Sequence, residues 1–167
     1  MKRLSVLAIV VAGLAVGACA PVKPSVAPPA APPTQDALAS FIAAALANAS
    51  PAGEPFPNLT EIQLTVGGDR LHLVVADDAS ERAQGLRDHS DDLGSYDGMI
   101  FVFNRDVTSA FTMSGVPHDL DIGWYDASGR RVASTRMTAN TCCYKPGEPY
   151  RLAIETLVGD LPSGSLS

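Results

Sequence analysis

Four residues in the C-terminal half of the chain carry soft donor atoms that could bind a metal or exchange electrons. Met113 offers a thioether, His118 an imidazole, and Cys142 and Cys143 offer thiols. Such ligands suit monovalent copper and zinc. Their spacing matches no compact metal motif, and adjacent cysteines direct their side chains apart, unlike a Cys-x-x-Cys pair. We predict no cofactor, with copper or zinc at these residues as the alternative.

The redox state of Cys142 and Cys143 is a separate question. If Cys19 carries lipid, these two are the thiols left, and thiols in an oxidising compartment tend to pair. Neighbouring Cα atoms lie about 3.8 Å apart, whereas a relaxed disulfide takes about 4.4–6.8 Å. Several states stay open: a bond between the neighbours, free thiols, a bond to a partner, a metal site, or one buried cysteine beside an incidental one.

Carboxylates near residues 113–119 are candidates for a ligand-binding site. In a predicted strand at about 120–125, alternation puts Asp121 on the face opposite Leu120 and Ile122. A carboxylate there either contacts a ligand or is held by backbone amides or by an arginine. We predict a shallow polar binding site formed by Arg82, Met113, His118, Asp119 and Asp121, and Arg82 is one arginine that could pair with Asp121.

Catalytic patterns are weak in this sequence. Ser114, His118 and Asp121 are neighbours, but no Gly-x-Ser-x-Gly elbow surrounds the serine, and a triad is defined by three-dimensional geometry. The sequence also lacks the glycine patterns of Walker and Rossmann nucleotide sites. Catalytic residues therefore stay unassigned, and we favour a protein that is not an enzyme.

Residues 1–18 have the pattern of a signal peptide. Lys2 and Arg3 precede an apolar run over 4–16, which is too short for a lasting membrane span. Small residues then precede Cys19, as in the lipobox of bacterial lipoproteins, whose cysteine is acylated; an ordinary secretory signal is the alternative. Acyl chains hold a protein at a membrane. We predict an exported protein anchored to a bacterial membrane by lipidated Cys19, on the periplasmic or cell-surface side.

The charge balance restricts the partners. The 167 residues include 18 acidic and 12 basic side chains, a formal net charge of −6. Removing residues 1–18 takes away Lys2 and Arg3, so the charge becomes −8. Nucleic-acid binders need clustered cations for the phosphates. We therefore exclude nucleic acid and predict as partners the membrane, through the lipid, and an envelope polymer or another exported protein.

Composition and periodicity divide the chain into four segments. After the signal peptide, prolines make 19–34 an extended tether behind the lipidated cysteine, and alanine, leucine and isoleucine predict a helix over 35–50. Proline and glycine then mark the boundary of a β domain over 58–167. The folding domain is thus much shorter than the chain.

Alternation of apolar and polar residues organises the β domain. It predicts a hairpin over 62–75 and strands at about 99–103, 107–113, 120–125, 131–137 and 149–156. Strand 99–103 is apolar throughout, so we expect it to be buried on both faces. Asp78 and Glu81 are spaced as a capping box for a short helix at about 79–87. The fold class is mainly β: a compact sandwich or small barrel of about seven short strands with one short helix.

Five short motifs between about 61 and 160 resemble the domain-of-unknown-function 192 family of bacteria and archaea. They occur in the family's order, as Val75-Ala76-Asp77, Glu81-Arg82-x-x-Gly85-Leu86, Gly98-Met99-x-Phe101-Val102-Phe103, Phe111-x-Met113 and Leu120-Asp121-Ile122. The resemblance implies a compact, mainly β domain, often exported, without an established activity. In the family a lysine usually occupies the loop where this chain has Ser114, so the resemblance implies a changed ligand if that lysine binds an anion.

These observations favour a membrane-anchored exported lipoprotein that acts as a binding or accessory module of the cell envelope. The alternative is a metal-binding or thiol-redox protein, or an enzyme, that uses Cys142, Cys143, His118 and Asp121. Bound metal, or a disulfide in the isolated protein, would distinguish the two.

Overall fold

A computed structural model describes residues 35–167 of the protein, with side chains from residue 40 onward. The predicted signal peptide, lipidated Cys19 and tether lie outside the described residues. Eleven elements follow one another: α1 (Gln35–Ala47), β1 (Ser50–Pro51), β2 (Thr60–Val66), β3 (Asp69–Ala76), α2 (Ala79–Gln84), β4 (Gly98–Val107), β5 (Phe111–Thr112), β6 (Leu120–Tyr125), β7 (Arg131–Met137), β8 (Cys142–Tyr144) and β9 (Tyr150–Leu157).

Seven of the nine strands form one sheet in the order β1-β2-β3-β4-β9-β6-β7, and β5 pairs with β8 in a second, two-stranded sheet. Only β3 and β4 run parallel, because α2 lies between them in the chain and supplies the crossover. Within residues 35–167 the strands do not close into a barrel, and the arrangement fits a sandwich or an open barrel. The predicted mainly β fold is confirmed.

The hairpin and most predicted strands occur where the alternation places them. Val66 pairs with Asp69 across a two-residue turn, and Gly67 and Gly68 in that turn have φ of 60° and 105°. Such turns need two residues with positive φ, which glycine adopts without a steric penalty. The predicted strand 107–113 is wrong in its bounds, because β4 continues to Val107, where it pairs with Tyr150 after a register shift.

The central strands are buried on both sides, so the sheet separates two apolar clusters. On the first face Met99 and Phe101 of β4 pack with Trp124 of β6, and on the second face Ile100 packs with Ile154 of β9. This confirms the two-sided burial predicted for 99–103 as far as Phe101. Beyond Phe103 the strand emerges into solvent at Asn104, Arg105 and Asp106.

Helix α1 packs on the second face. Ile42 is buried there, and Ala45 and Leu46 are partly buried against the same cluster, whereas Phe41 is 40% exposed. The helix therefore docks on the domain through side chains spaced three or four residues apart, which lie on one face of a helix. No helix among residues 35–167 is long and apolar enough to cross a membrane.

The C-terminal segment joins two turns of the sheet. Leu166 is buried in the second cluster, bridges to Val66 at the end of β2, and donates its backbone N–H to the carbonyl of Gly129, between β6 and β7, over 2.8 Å. The β2–β3 turn and the β6–β7 turn are thereby linked through a buried side chain and backbone hydrogen bonds.

Strands β4 and β9 approach each other most closely at Gly98, and this gives a test of the packing. A Cβ atom at Gly98 would collide with the carbonyl oxygen of Glu155 and lie 3.1 Å from Cγ2 of Thr156. We expect Gly98→Ala to lower the free energy of unfolding by about 1–3 kcal/mol, measured by denaturant titration. Gly147→Ala is the control, because a Cβ there meets nothing within 4 Å. Equal stability of the two variants would refute the close approach.

Candidate functional site

A cavity of about 380 Å³ opens on the first face of the sheet, and we call it the α2–β5 cavity. Its walls come from α2 and the turn that follows, from β4, from β5 with its flanking residues, and from β9. Most of the side chains that line the wall are apolar, and three of them are charged. Its principal side chains are Arg82, Arg87, Phe101, Phe103, Phe111, Met113, Val116, Tyr150 and Glu155.

Glu155 is the unusual group of this cavity. Its side chain shares the first face with Ala153, and the residue is only 5% exposed although it lines the cavity. Its carboxyl makes no hydrogen bond or ion pair with the described residues, and its cross-strand neighbours are Met99 and Ile122. Burial raises the pKa of Glu155 to about 8, with no charged neighbour contributing. A carboxylic acid that is neutral near pH 7 therefore faces the cavity without a protein partner.

Aromatic rings form the apolar walls, and they meet edge to face. The ring centroids of Phe101 and Phe111 are 5.0 Å apart at 88°, and those of Phe103 and Tyr150 are 5.4 Å apart at 90°. The hydroxyl of Tyr150 donates to the carbonyl of Ser109 over 2.9 Å, and burial raises the pKa of Tyr150 to about 12. These contacts hold the rings in place, so the cavity is preformed.

The capping box of α2 positions the first arginine. The Asp78 carboxylate accepts the backbone N–H of Glu81 over 2.8 Å, and the Glu81 carboxylate accepts the backbone N–H of Asp78 over 3.1 Å. The predicted box is thus confirmed, but the helix ends at Gln84 rather than 87, because Gly85 has a φ of 52°. Gly85 also borders the cavity, where a Cβ would lie 3.5 Å from the ring of Phe101.

Arg82 lies flat along the rim of the cavity. Its Nη1 atom donates to the carbonyl oxygens of Asp77 and Val102, and its guanidinium lies 5.0 Å from the ring centroid of Phe103. Neither Arg82 nor Arg87 forms an ion pair with any carboxylate of residues 40–167. Donor atoms of both guanidinium groups therefore remain available to an anion.

The wall opposite α2 is carried by the two-stranded sheet. Phe111 pairs with Tyr144 and Thr112 with Cys142, while the backbone N–H of Met113 donates to Thr141 over 2.8 Å. These contacts attach the cavity-lining residues 111–116 to the segment 138–144. The wall therefore depends on a pairing between two loops that are distant in sequence.

The structure brings two of the five predicted site residues to the cavity, Arg82 and Met113, the latter buried in its wall. His118 and Asp119 lie outside it. His118 is exposed, 3.7 Å from a carboxylate oxygen of Asp91, and the Asp119 carboxylate accepts the backbone N–H of Ala139 over 2.8 Å. Asp119 thus has a structural role between the two loops.

Asp121 has an arginine partner, but the arginine is Arg136 of the adjacent strand rather than Arg82. Arg136 Nε lies 3.0 Å from its Oδ1, and the backbone N–H of Gly159 donates to its Oδ2 over 2.8 Å. Burial raises the pKa of Asp121, but these hydrogen bonds and the charge of Arg136 outweigh it, so the pKa is lowered overall. The carboxylate is fully engaged in holding β6, β7 and the turn after β9 together.

The sulfur atoms of Cys142 and Cys143 lie against each other, and both residues are exposed on β8. Among residues 40–167 no group of three or more His, Cys, Asp or Glu side chains is placed to hold a metal ion. Met113 is buried and faces the cavity, whereas His118 faces solvent, so these two side chains do not share a site.

Three titratable residues of the cavity were not predicted as site residues: Arg87, Tyr150 and Glu155. The sequence does contain a signal for Glu155. In the strand segment Leu152-Ala153-Ile154-Glu155-Thr156-Leu157, alternation puts the carboxylate on the same face as Ala153 and Leu157. A single charge on an otherwise apolar face of a two-sided strand is a candidate for a buried functional group.

Comparison with known proteins identifies the family. Residues 62–163 match the family model DUF192, described as "Uncharacterized ACR", and the chain belongs to this family. No curated protein matches the sequence significantly.

Two crystal structures resemble the fold. A protein of unknown function from Novosphingobium aromaticivorans DSM 12444 has 23% identity and a TM-score of 0.61, covering 72% of this chain and 94% of its own. A Sinorhizobium meliloti 1021 protein, provisionally described as a transcription regulator, has 20% identity and a TM-score of 0.55, covering 63% and 89%. At these identities the similarity establishes the fold alone.

The buried carboxyl gives stability a specific pH dependence. Because the pKa of Glu155 rises from 4.5 to about 8 on folding, the unfolded chain loses this proton first as the pH rises. The contribution of the protonated Glu155 carboxyl to the stability of the fold is fully present below about pH 4.5 and is lost as the pH rises toward 8. Over this range the free energy of unfolding falls by up to about 1.4 kcal/mol per pH unit.

We expect Glu155→Gln to remove this slope, measured as the free energy of unfolding at about pH 5, 6, 7 and 8. The exposed carboxyl of Glu54 offers the control Glu54→Gln, which should keep the slope of the parent protein. A parent and a Glu155→Gln variant with the same slope would show that Glu155 is not buried in its neutral form.

Proposed function

We propose that this protein is an exported lipoprotein, anchored by acylated Cys19, whose β domain binds a small ligand in the α2–β5 cavity. One observation carries the binding function: the carboxyl of Glu155 is buried, unpartnered and directed into an aromatic cavity. Burying a polar group without a hydrogen bond costs free energy, so such groups are rare in native proteins, and a ligand that completes the hydrogen bonding offsets this cost.

The size and composition of the cavity support a small-molecule ligand. Ligand sites are concave, mostly apolar, and contain a few polar groups that fix orientation, with volumes of about 300–1,000 Å³. The α2–β5 cavity has about 380 Å³, aromatic walls, and charged groups at Arg82, Arg87 and Glu155. A ligand of this size could be a free molecule or the end group of an envelope polymer.

The N-terminal sequence supports the location. The segment before Cys19 has a basic start and an apolar run, and 19–34 is rich in proline. Extended at about 3.1 Å per residue, the segment 21–33 reaches roughly 40 Å from a lipid surface. The domain would then take its ligand from the periplasm or the cell surface, well beyond the lipid headgroups.

A single metal or active site built from the four residues of the alternative has less support from the geometry. It needs Cys142, Cys143, His118 and Asp121 to act together, yet Asp121 is occupied by Arg136 and Gly159. The two sulfurs lie against each other on β8, and His118 faces Asp91. None of these contacts converges on a common centre.

Blocking the cavity tests the binding function. Ala110 is exposed and lines the cavity, so Ala110→Trp should fill its mouth without disturbing the core. With benzyl alcohol and a library of small amphipathic fragments as probes, we expect shifts in protein NMR spectra that are lost in Ala110→Trp. Ala44→Trp, at an exposed position of α1 outside the cavity, should bind as the parent does. Parent protein that binds no fragment would contradict the proposal.

Removal of the acylation site tests the anchor. We expect Cys19→Ala to abolish incorporation of labelled palmitate and to move the protein from the membrane fraction to the soluble fraction. Cys142→Ala combined with Cys143→Ala is the control and should remain in the membrane. Membrane retention of Cys19→Ala would refute anchoring through this cysteine.

A further inference from the structure

We infer that the α2–β5 cavity selects ligands with an amine at one end, a carboxylate at the other and an apolar body between them. The inference rests on the proposed ligand-binding function and names the chemical class of the ligand. It follows from the placement of Glu155, of the two arginines and of the rings between them.

The amine end is assigned to Glu155. Its carboxyl lines the cavity, is nine-tenths buried or more, and makes no hydrogen bond with the rest of the described chain. The residues opposite it on β4 and β6 are Met99 and Ile122, which offer no hydrogen-bond donor. An ammonium group supplies both the donors and the positive charge that a buried carboxylate needs.

The carboxylate end is assigned to Arg82 and Arg87. Arg82 uses only Nη1 in its bonds to Asp77 and Val102, so its remaining N–H groups can bind an anion. Neither arginine has a carboxylate partner among residues 40–167, although the domain is acidic. A guanidinium group recognises a carboxylate through paired hydrogen bonds.

The two ends are separated along β4. Glu155 is opposite Met99, whereas Arg82 is bonded to Val102 and lies over Phe103. Three to four residues of strand span about 10–13 Å. A ligand that reaches both ends therefore needs a body of several methylene groups between its two charges.

The rings between the ends explain why the body should be apolar. Phe101, Phe111 and Tyr150 line the cavity and present no free polar group toward it, because the hydroxyl of Tyr150 is bonded to Ser109. Methylene groups bury their surface there without losing hydrogen bonds. The negative faces of the rings also favour a cation that passes or rests against them.

Binding of the amine should release a proton. Of the titratable groups that line the cavity, α2 and its following turn contribute Arg82 and Arg87, and β9 contributes Tyr150 and Glu155; β4, β5 and β6 place none there. Burial keeps Glu155 protonated near pH 7, since its pKa is raised to about 8. When an ammonium group pairs with it, the carboxyl gives its proton to the buffer and remains as the carboxylate.

The test is a titration of the purified full chain with 5-aminopentanoate, followed by calorimetry near pH 7 in buffers of different ionisation enthalpy. Pentanoate lacks the amine and pentylamine lacks the carboxylate, so these two probes separate the ends. We expect each to bind at least about tenfold more weakly than 5-aminopentanoate, since a charge-assisted pair contributes more than about 1.4 kcal/mol. Close to one proton should be released with 5-aminopentanoate.

Two variants assign the ends to residues. Glu155→Gln should remove the proton release and the preference for the amine, and Arg87→Gln should remove much of the preference for the carboxylate. Arg105→Gln, at an exposed arginine outside the cavity, is the matched control and should change neither. The tripeptide alanyl-alanyl-lysine tests whether the same chemistry is recognised at the end of a peptide, in place of a free molecule.

Binding of 5-aminopentanoate or the tripeptide with loss in Glu155→Gln supports the inference and identifies the source. Pentanoate that binds as tightly as 5-aminopentanoate, or binding unchanged in Glu155→Gln, overturns it. If benzyl alcohol or other fragments enter the cavity while neither aminated probe does, the inference fails and the proposed binding function stands. If no probe binds, both fail.

Discussion

The structure depends on the antiparallel pairing of β4 with β9 at the middle of the large sheet. These two strands join β1, β2 and β3 on one side to β6 and β7 on the other, and both are buried on two faces. The absence of a side chain at Gly98 lets the backbone of Glu155 approach closely. The packing constraint that holds the sheet together thus also fixes the carboxyl of Glu155, which has no partner among residues 40–167.

Much of the fold was accessible from the sequence because it is encoded locally. The two glycines after Val66 determine a turn, Asp78 and Glu81 cap a helix, and an unbroken apolar run marks a central strand. Strand β8 was not predicted, because Cys142-Cys143-Tyr144 becomes a strand only by pairing with the distant residues 111–112. Local pattern contains no information about such a partner.

The candidate site was harder to predict for a related reason. Its wall is assembled from four separate segments, and only Arg82 and Met113 of the predicted residues face it. Asp119 and Asp121 were predicted as site residues because they are carboxylates in a loop and a strand. Asp119 instead accepts the backbone N–H of Ala139, and Asp121 pairs with Arg136, and both partners are distant in the sequence. Glu155 differs from them in having no such partner. A sequence displays the charge of a residue, whereas the distinction between a structural and a functional carboxylate lies in what surrounds it.

The position of α1 bears on how the domain would respond to mechanical load. This helix packs through Ile42 on the face of the sheet opposite the α2–β5 cavity, in the cluster that also holds Leu166. A pulling force applied at the start of α1 would first be resisted by the apolar contacts of that cluster. The C-terminal segment, which bridges to Val66 and is hydrogen-bonded to Gly129, belongs to the same cluster. The cavity wall made by α2 and β5 lies on the other face of the sheet, away from these contacts. A force applied at the start of α1 would therefore act on one face, while the other keeps the shape of its cavity.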